Sequence, residues 1–359
     1  MGGDRNDSAQ GDDVQLSRRV TMMDVARAAG VSQSSVSLVL NGMTGARIAE
    51  ATRERVIRAA RDLGYTLPYM RRAAARPAIG RTIAYLVDEI ATTVFPAANI
   101  DGARDAAWES GFLLSTYATR SDRGLEAATI EGIKRNGDVL GVIYSTVFTR
   151  EIEIPAGLEG VPLVLLNCYV PDERQIAVVP GEVVGGFNAT AYLIGRGHRR
   201  IGFINGEPWM DASVDRLAGY RQALASADIP FDPDLVRSGD WLPESGRVHL
   251  LDLFGTAQPP SAVFCGNDMM AVGAMQAARD LGLRVPEDLS IIGYDDQDVA
   301  GYTTPPLTTV VLPNYEMGRK AMELLLDMAV HGKPPHARLI KIDGPIIERQ
   351  SVAAFAPRD

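Results

Sequence analysis

Cysteine is nearly absent from this 359-residue chain: only Cys168 and Cys265 occur, far apart, with no CxxC and no histidine cluster beside them. That excludes a disulfide-stapled scaffold and a zinc site, and it fits a reducing compartment. Four scattered histidines supply no acid–base pair. No apolar run approaches the ~18 residues of a membrane span. The start, Met1 to Asp13, is polar and acidic without an apolar h-region, so no secretory signal is expected. Enzyme motifs are missing as well: there is no GxxxxGKS/T, no HExxH, no GxSxG and no GxGxxG after a first strand. What is present is ordinary for a folded protein, with 46% apolar and 23% charged residues. The length predicts two or three domains by the rule of roughly 100–200 residues each.

The charge is unevenly placed. Residues 17–76 hold eleven arginines against four acids, a net +7, within a chain whose total is -9. Residues 1–17 read as a disordered acidic extension carrying Arg5 and four aspartates. A small basic module joined to a large acidic one points to a polyanion partner for the first part alone.

Within that basic module, Thr21-Met22-Met23-Asp24 reads as a capping box opening a helix that Gly30 stops. Ser32 is the N-cap of a second helix with Val36, Val39 and Leu40 on one stripe, ended by Asn41-Gly42. A third helix, about Glu50 to Leu63, points Val56, Ile57, Ala60 and Leu63 inward and stops at Gly64. The tight, small-residue turn between the first two helices is helix-turn-helix geometry. The second helix then presents Gln33, Ser34, Ser35, Ser37 and Leu38, polar groups suited to base edges in a major groove.

From Arg81 the pattern changes to short β-branched runs alternating with helical stretches. Strands are expected at 82–87, 112–117, 139–144, 161–167, 200–205, 261–265 and 289–294, with a helix at 97–110. Such alternation means parallel sheets covered on both faces. Its length calls for two lobes, and ligands of open α/β sheets sit beyond the carboxyl ends of the strands. The facing lobes therefore make a cleft.

The blocks Val20–Ala26, Ala29–Ser32, Val36–Gly42, Thr52–Val56 and Leu63–Tyr65 closely resemble the lactose-repressor (LacI/GalR) family of transcription regulators. The resemblance continues through Gly195–Ile204, Arg216–Tyr220, Phe264–Ala271, Val285–Asp296, Pro305–Val310 and Glu316–Gly318. It implies a helix-turn-helix domain at 18–65, a hinge at 66–80 and a periplasmic-binding-protein-like effector domain at 81–359. The implied lobes are 81–196 with 311–341, and 197–310 with 342–359. It also implies DNA contacts from Arg18, Thr21, Ser32, Gln33, Ser34, Ser35, Ser37, Leu38 and Asn41, with hinge contacts from Tyr69, Arg71, Arg72, Ala74 and Ala75. The chain departs from the family pattern at Leu38, where arginine is usual, and at Ala74 or Ala75, where a leucine wedge is expected; a methyl group unstacks bases poorly.

For the cleft, the resemblance implies Arg216 as a fork for paired hydroxyls or a carboxylate, Asp295 as an acceptor from two hydroxyls, and Asn267 as both donor and acceptor. Trp241 would stack on a sugar's C–H face, with Phe95 as a second platform from the opposite lobe. Asp268 reads as a helix N-cap and His198 as a structural loop residue. Pro180-Gly181 and Leu312 make one wall less polar than in a typical hexose binder. No cofactor and no metal are expected.

The function these readings predict is a cytoplasmic, nucleoid-associated bacterial transcription regulator, most simply a repressor. A homodimer would bind a near-palindromic operator, and a small molecule, a sugar or related polyol, would control its affinity. No terminal leucine heptad supports a coiled-coil tetramer. A solute-binding protein of transport, a sensor of nucleoside-type effectors and an enzyme on a doubly wound fold are the competing readings. The basic module argues against the first of these and the missing motifs against the last.

Overall fold

The computed structural model describes residues 20–40, 48–65, 81–91, 94–172, 174–332 and 338–355. The expected acidic extension, Arg18, Asn41 and the whole hinge with Tyr69, Arg71, Arg72, Ala74 and Ala75 lie outside these residues, as does the side chain of Ser34. The chain divides into a small unit ending at Tyr65 and a large one from Thr66 onward.

In the small unit, α1 (Met22–Ala29) begins where the sequence marks it. Thr21 Oγ1 accepts from the Asp24 amide at 3.2 Å, and the Asp24 carboxylate accepts from the Thr21 amide at 2.9 Å. This is a reciprocal cap of about 1 kcal/mol. Gly30 closes the helix at φ 63°, a left-handed position where a side chain would be strained. α2 (Gln33–Leu40) buries Val36 and Val39, and α3 (Glu50–Asp62) buries Val56, Ala59 and Ala60 against them. The expected inward set of α3 needs correction, because Ile57 and Leu63 are 41% and 37% exposed. A helix advances 100° per residue, so Ile57 lies a quarter-turn from Val56, and Ala59 takes the inward place.

The large unit opens with β1 (Thr82–Val87), α4 (Phe95–Glu109), β2 (Leu113–Ala118), α5 (Arg123–Arg135), β3 (Val139–Glu151), β4 (Leu163–Tyr169) and β5 (Ala177–Pro180). It continues with α6 (Glu182–Gly195), β6 (Ile201–Asn205), α7 (Asp211–Ser226), β7 (Val236–Ser238), α8 (Pro243–Phe254), β8 (Ala262–Cys265), α9 (Asp268–Asp280), β9 (Ser290–Asp295), α10 (Asp298–Tyr302) and β10 (Thr308–Val311). It ends with α11 (Asn314–His331), β11 (Leu339–Ile342) and β12 (Ile346–Ile347). Two six-stranded sheets result, ordered β11-β5-β4-β3-β1-β2 and β12-β10-β9-β8-β6-β7. All described pairings are parallel except β10 with β12. Strands such as β1 and β9 are buried almost end to end because helices cover both faces, which is why they read as continuous apolar runs.

The chain passes between the sheets three times, after β5, after β10 and after β11. The first passage differs from expectation. Helix α6, assigned by the sequence to the first lobe, packs on α7, β8 and β10 of the second. The crossing therefore falls at Gly181 and not near Gly197. The α6–α7 contact is close because Gly219 lies against the backbone of α6, where a Cβ would meet the Val183 carbonyl oxygen at 2.1 Å. Five short strands, β5, β7, β10, β11 and β12, were not anticipated. At two to four residues each, they carry too little periodicity to be read alone.

Candidate functional site

In the small unit, two of the residues expected at DNA are engaged in capping. The Ser32 hydroxyl accepts from the Ser35 amide at 3.2 Å, lies 3.0 Å from the Ser35 hydroxyl, and is buried. Thr21 holds α1 in the way described above. Gln33, Ser35, Ser37 and Leu38 are half-exposed along α2, the expected reading helix. Arg55 on α3 donates to the Ala29 carbonyl at 3.3 Å and ties α3 to the end of α1.

In the large unit, Phe95, Arg216, Trp241, Asn267 and Asp295, the five residues expected at the cleft, line one cavity of about 270 Å³. They come from both lobes: Phe95 begins α4, Arg216 lies on α7, Trp241 precedes α8, Asn267 precedes α9, and Asp295 ends β9. Pro180 and Leu312, at two crossings, supply apolar wall. Three lining residues, Asn167, Trp241 and Asp295, have φ of 60°, 67° and 104°. Left-handed backbone at non-glycine residues is costly, and it concentrates where surrounding structure holds a site in shape.

Arg216 is not the open fork that the sequence suggested. Its Nε donates to Glu182 Oε2 at 2.7 Å and its Nη2 to Glu182 Oε1 at 2.8 Å, while Nη1 donates to the Gly266 carbonyl. Asp295 Oδ1 stands farther off, at 3.8 Å from Nη2. The guanidinium lies 3.6 Å over the Tyr294 ring and 5.5 Å from the Trp241 ring. A bidentate, buried carboxylate outcompetes the more distant one, so Glu182 and not Asp295 is the main partner. The other Asp295 oxygen, Oδ2, accepts from Gln297 Nε2 at 3.0 Å. Burial drives the Asp295 carboxyl up to about 7 against the opposing pull of Arg216 and Gln297.

Two neighbouring carboxylates are structural. Asp268 was read as a helix N-cap, but that role belongs to Asn267, whose side-chain oxygen accepts from the Met270 amide at 2.8 Å. Asn267 also donates to the Trp241 carbonyl at 3.0 Å, so much of its hydrogen-bonding capacity holds the wall together. Asp268 is fully buried, accepting from Thr309 Oγ1 at 2.6 Å and the Gln297 amide at 2.7 Å. Burial, followed by repulsion from Asp295, raises its carboxyl well above the usual range. Asp296 pairs with Arg349 at 2.7 Å. His198 is a buried loop residue, bonded to Ser261 and the Ala353 carbonyl.

The Trp241 indole sits over Gly206, where a Cβ would collide with the ring, and its N–H points to Met210 Sδ at 3.0 Å. In the cavity lining, Phe148 of the first lobe meets Trp209 of the second edge-on, with ring centroids 5.8 Å apart. Tyr169 of β4 donates to Asp211 of α7 at 2.8 Å, a second bond between the lobes. Glu182, Phe148, Asn167, Glu207, Trp209 and Asn314 line the cavity and were missed by the sequence reading. Tryptophan scarcity was an available signal, since two of the three tryptophans in the chain are here. An acid directly after Pro180-Gly181 was another. Among the described residues, no group of histidines, cysteines and acids is placed to hold a metal ion, and no helix is long and apolar enough to cross a membrane.

Comparison with known proteins agrees with this architecture. Residues 21–67 match the family described as "Bacterial regulatory proteins, lacI family", and residues 190–352 match "Periplasmic binding protein-like domain". The chain is 38% identical over 309 residues to the HTH-type transcriptional repressor CytR of Escherichia coli K12, covering 86% of this chain and 89% of the relative. It is 32% identical over 341 residues to the HTH-type transcriptional repressor PurR of Vibrio atlanticus, covering 92% and 98%. A solved complex of the transcriptional regulator CelR with cellobiose superposes with a TM-score of 0.62 at 33% identity, covering 93% of this chain and all of that one.

Proposed function

Because the chain belongs to the lacI family of bacterial regulatory proteins, a family of DNA-binding transcription regulators and not of enzymes, we propose that it represses transcription under the control of a small carbohydrate bound in the cavity of its large unit. One observation carries the ligand part of this reading. Five residues from widely separated segments converge on a cavity lined by both aromatic rings and carboxyl groups, the combination that grips C–H faces and hydroxyls at once. About 270 Å³ is small beside the roughly 300–1,000 Å³ of drug-sized sites, which suits a mono- or disaccharide. The solved relative bound to cellobiose supports the same class.

In this reading Asp295 accepts from ligand hydroxyls through Oδ1, Trp241 and Phe95 provide stacking surfaces, and Arg216 orients the carboxylates around it. Gln33, Ser35, Ser37 and Leu38, with Ser34, read base edges, while the arginines of residues 17–76 meet phosphates. A cytoplasmic homodimer would place two such helices on a near-palindromic operator. Ligand would act by shifting the balance between lobe arrangements with different DNA affinity.

The rings of Phe148 and Trp209 in the cavity lining favour a second reading, a nucleoside whose flat base would stack on one of them. A thermal-shift panel of sugars, polyols and nucleosides decides between them, since a ligand stabilises by RT ln(1 + [L]/Kd). Titration calorimetry on Asp295→Ala with the ligand so found should show affinity about ten- to a hundredfold weaker, matching the loss of a charge-assisted hydrogen bond. Operator binding without ligand should stay as in the parent. Unchanged ligand affinity in a folded Asp295→Ala protein would mean that the ligand binds elsewhere.

A further inference from the structure

We propose that Glu182 sets the charge selectivity of the cavity: by holding the guanidinium of Arg216 it makes the site accept neutral polyhydroxyl ligands and turn away carboxylates and phosphates. This rests on the cavity being the effector site. The argument begins with donors. A guanidinium has five N–H groups in a planar fork, and anions are recognised by two of them in parallel. Glu182 already takes one such parallel pair, Nε and Nη2, at 2.7 and 2.8 Å, the Gly266 carbonyl takes a hydrogen of Nη1, and Asp295 Oδ1 stands 3.8 Å from Nη2. Tyr294 covers a face of the fork.

The pair is also built to stay. The side chains of Arg216 and Glu182 are 4% and 5% exposed, so neither charge can exchange its partner for bulk water. Glu182 is the first residue of α6, where the positive end of the helix favours a carboxylate. It follows Gly181 at a crossing between lobes, where the Gly181 amide donates to the Ile342 carbonyl at 2.8 Å and fixes the approach of the chain. An incoming anion that took this pair would have to displace Glu182 and leave it buried without a counter-ion, which is strongly unfavourable, and one that approached Nη2 from its other side would meet the Asp295 carboxyl.

The rest of the lining adds to the exclusion. Its acids are Glu182, Glu207 and Asp295, the last gaining its charge only as pH rises through about 7, against Arg216 alone. Hydroxyl ligands meet no such barrier, because they can donate to the carboxylates without moving the ion pair.

The test uses the full-length chain and two anions that need only a free fork, inorganic phosphate and acetate. Each is titrated by calorimetry at constant ionic strength against chloride. The wild type should show no saturable binding of either in the cavity. Glu182→Gln should bind phosphate at least about tenfold more tightly than the wild type, as a freed charge-assisted bidentate contact allows. The gain should vanish in the double variant Glu182→Gln/Arg216→Met, which separates the cavity from the arginines of the small unit. Equal phosphate affinity in wild type and Glu182→Gln, or a gain that survives loss of Arg216, overturns the proposal.

A second arm needs no variant and decides the matter if Glu182→Gln does not fold. D-glucuronate and D-glucose 6-phosphate should stabilise the wild type no more than chloride does. Stabilisation by either beyond that given by D-glucose overturns the proposal, and rejection of both supports it. Should no neutral sugar bind at all, the carbohydrate reading falls while the phosphate comparison still tests Glu182.

Discussion

In the small unit the residues expected to read base edges, Gln33, Ser34, Ser35, Ser37 and Leu38, stand on a single helix, Gln33–Leu40, and their neighbours in sequence are their neighbours in space. In the large unit the cavity is lined by residues as far apart as Phe95 and Asn314, and no two of its five expected residues share an element. A surface made by one helix tolerates loss of any single side chain, because the helix persists. A cavity assembled from loop ends and crossings depends on each close contact behind it. The difference predicts where substitutions will be specific and where they will be global.

The sharpest break of this comparison is removal of residues 1–80. DNA binding should be abolished, since the net positive charge lies in residues 17–76, while the large unit should keep its ligand affinity. Electrophoretic mobility shift with an operator selected by the full-length chain checks the first half, and calorimetry checks the second. A truncated chain that still shifted this DNA would remove the small unit from its assigned role.

Next in size is Gly219→Leu. The new side chain would be driven into the backbone of α6 at Val183 and Phe187, at a cost of about 3 kcal/mol. The melting transition of the large unit should fall by roughly 6–10 °C, while that of residues 20–65 should not move. Differential scanning calorimetry with separate assignment of the two transitions tests this.

A smaller and pH-dependent effect belongs to Asp295. Its carboxyl is raised in the folded chain to about 7, so the folded state holds a proton that the unfolded chain has released. The stability this proton contributes is complete below the ordinary aspartate range and is lost as pH rises through about 7. Asp295→Asn keeps the uncharged form at every pH. Its stability relative to the parent should therefore grow by on the order of 1–3 kcal/mol between pH 5 and 8. Urea unfolding at several pH values measures the difference. A constant offset would mean that Asp295 stays charged throughout.

The smallest effect is local to the small unit. Thr21→Ala removes one arm of the capping box and should cost that unit about 1 kcal/mol, with no change in ligand affinity of the large one. Chemical unfolding followed by helical circular dichroism reads it.

Legibility in the sequence follows the same division. The capping of α1, the stop at Gly30, the series of apolar strands and the five cavity residues were all readable, because each is marked by a short pattern or by a block shared with the family. Glu182 was not, since its importance comes from Arg216, which is 34 residues away in sequence and joined to it only by the contact of α6 with α7. The misplacement of α6 has the same origin. An amphipathic helix between two strands can cover either sheet, and the pattern does not say which. The N-cap role falls to Asn267 and not to Asp268 because adjacent polar residues at a strand-to-helix turn are equivalent in sequence and differ only in which one faces Thr309.

The sequence by itself determined the class of the protein: a basic helix-turn-helix unit followed by an α/β unit of parallel strands. Periodicity, capping and charge placement are local properties, and they act over a few residues. Tertiary structure alone decided the electrostatics of the cavity. Whether Arg216 faces a ligand or Glu182, and whether Asp295 keeps its proton near neutral pH, depends on distances of a few ångströms between groups far apart along the chain. Coulomb energies and desolvation change steeply over such distances, and no local pattern records them.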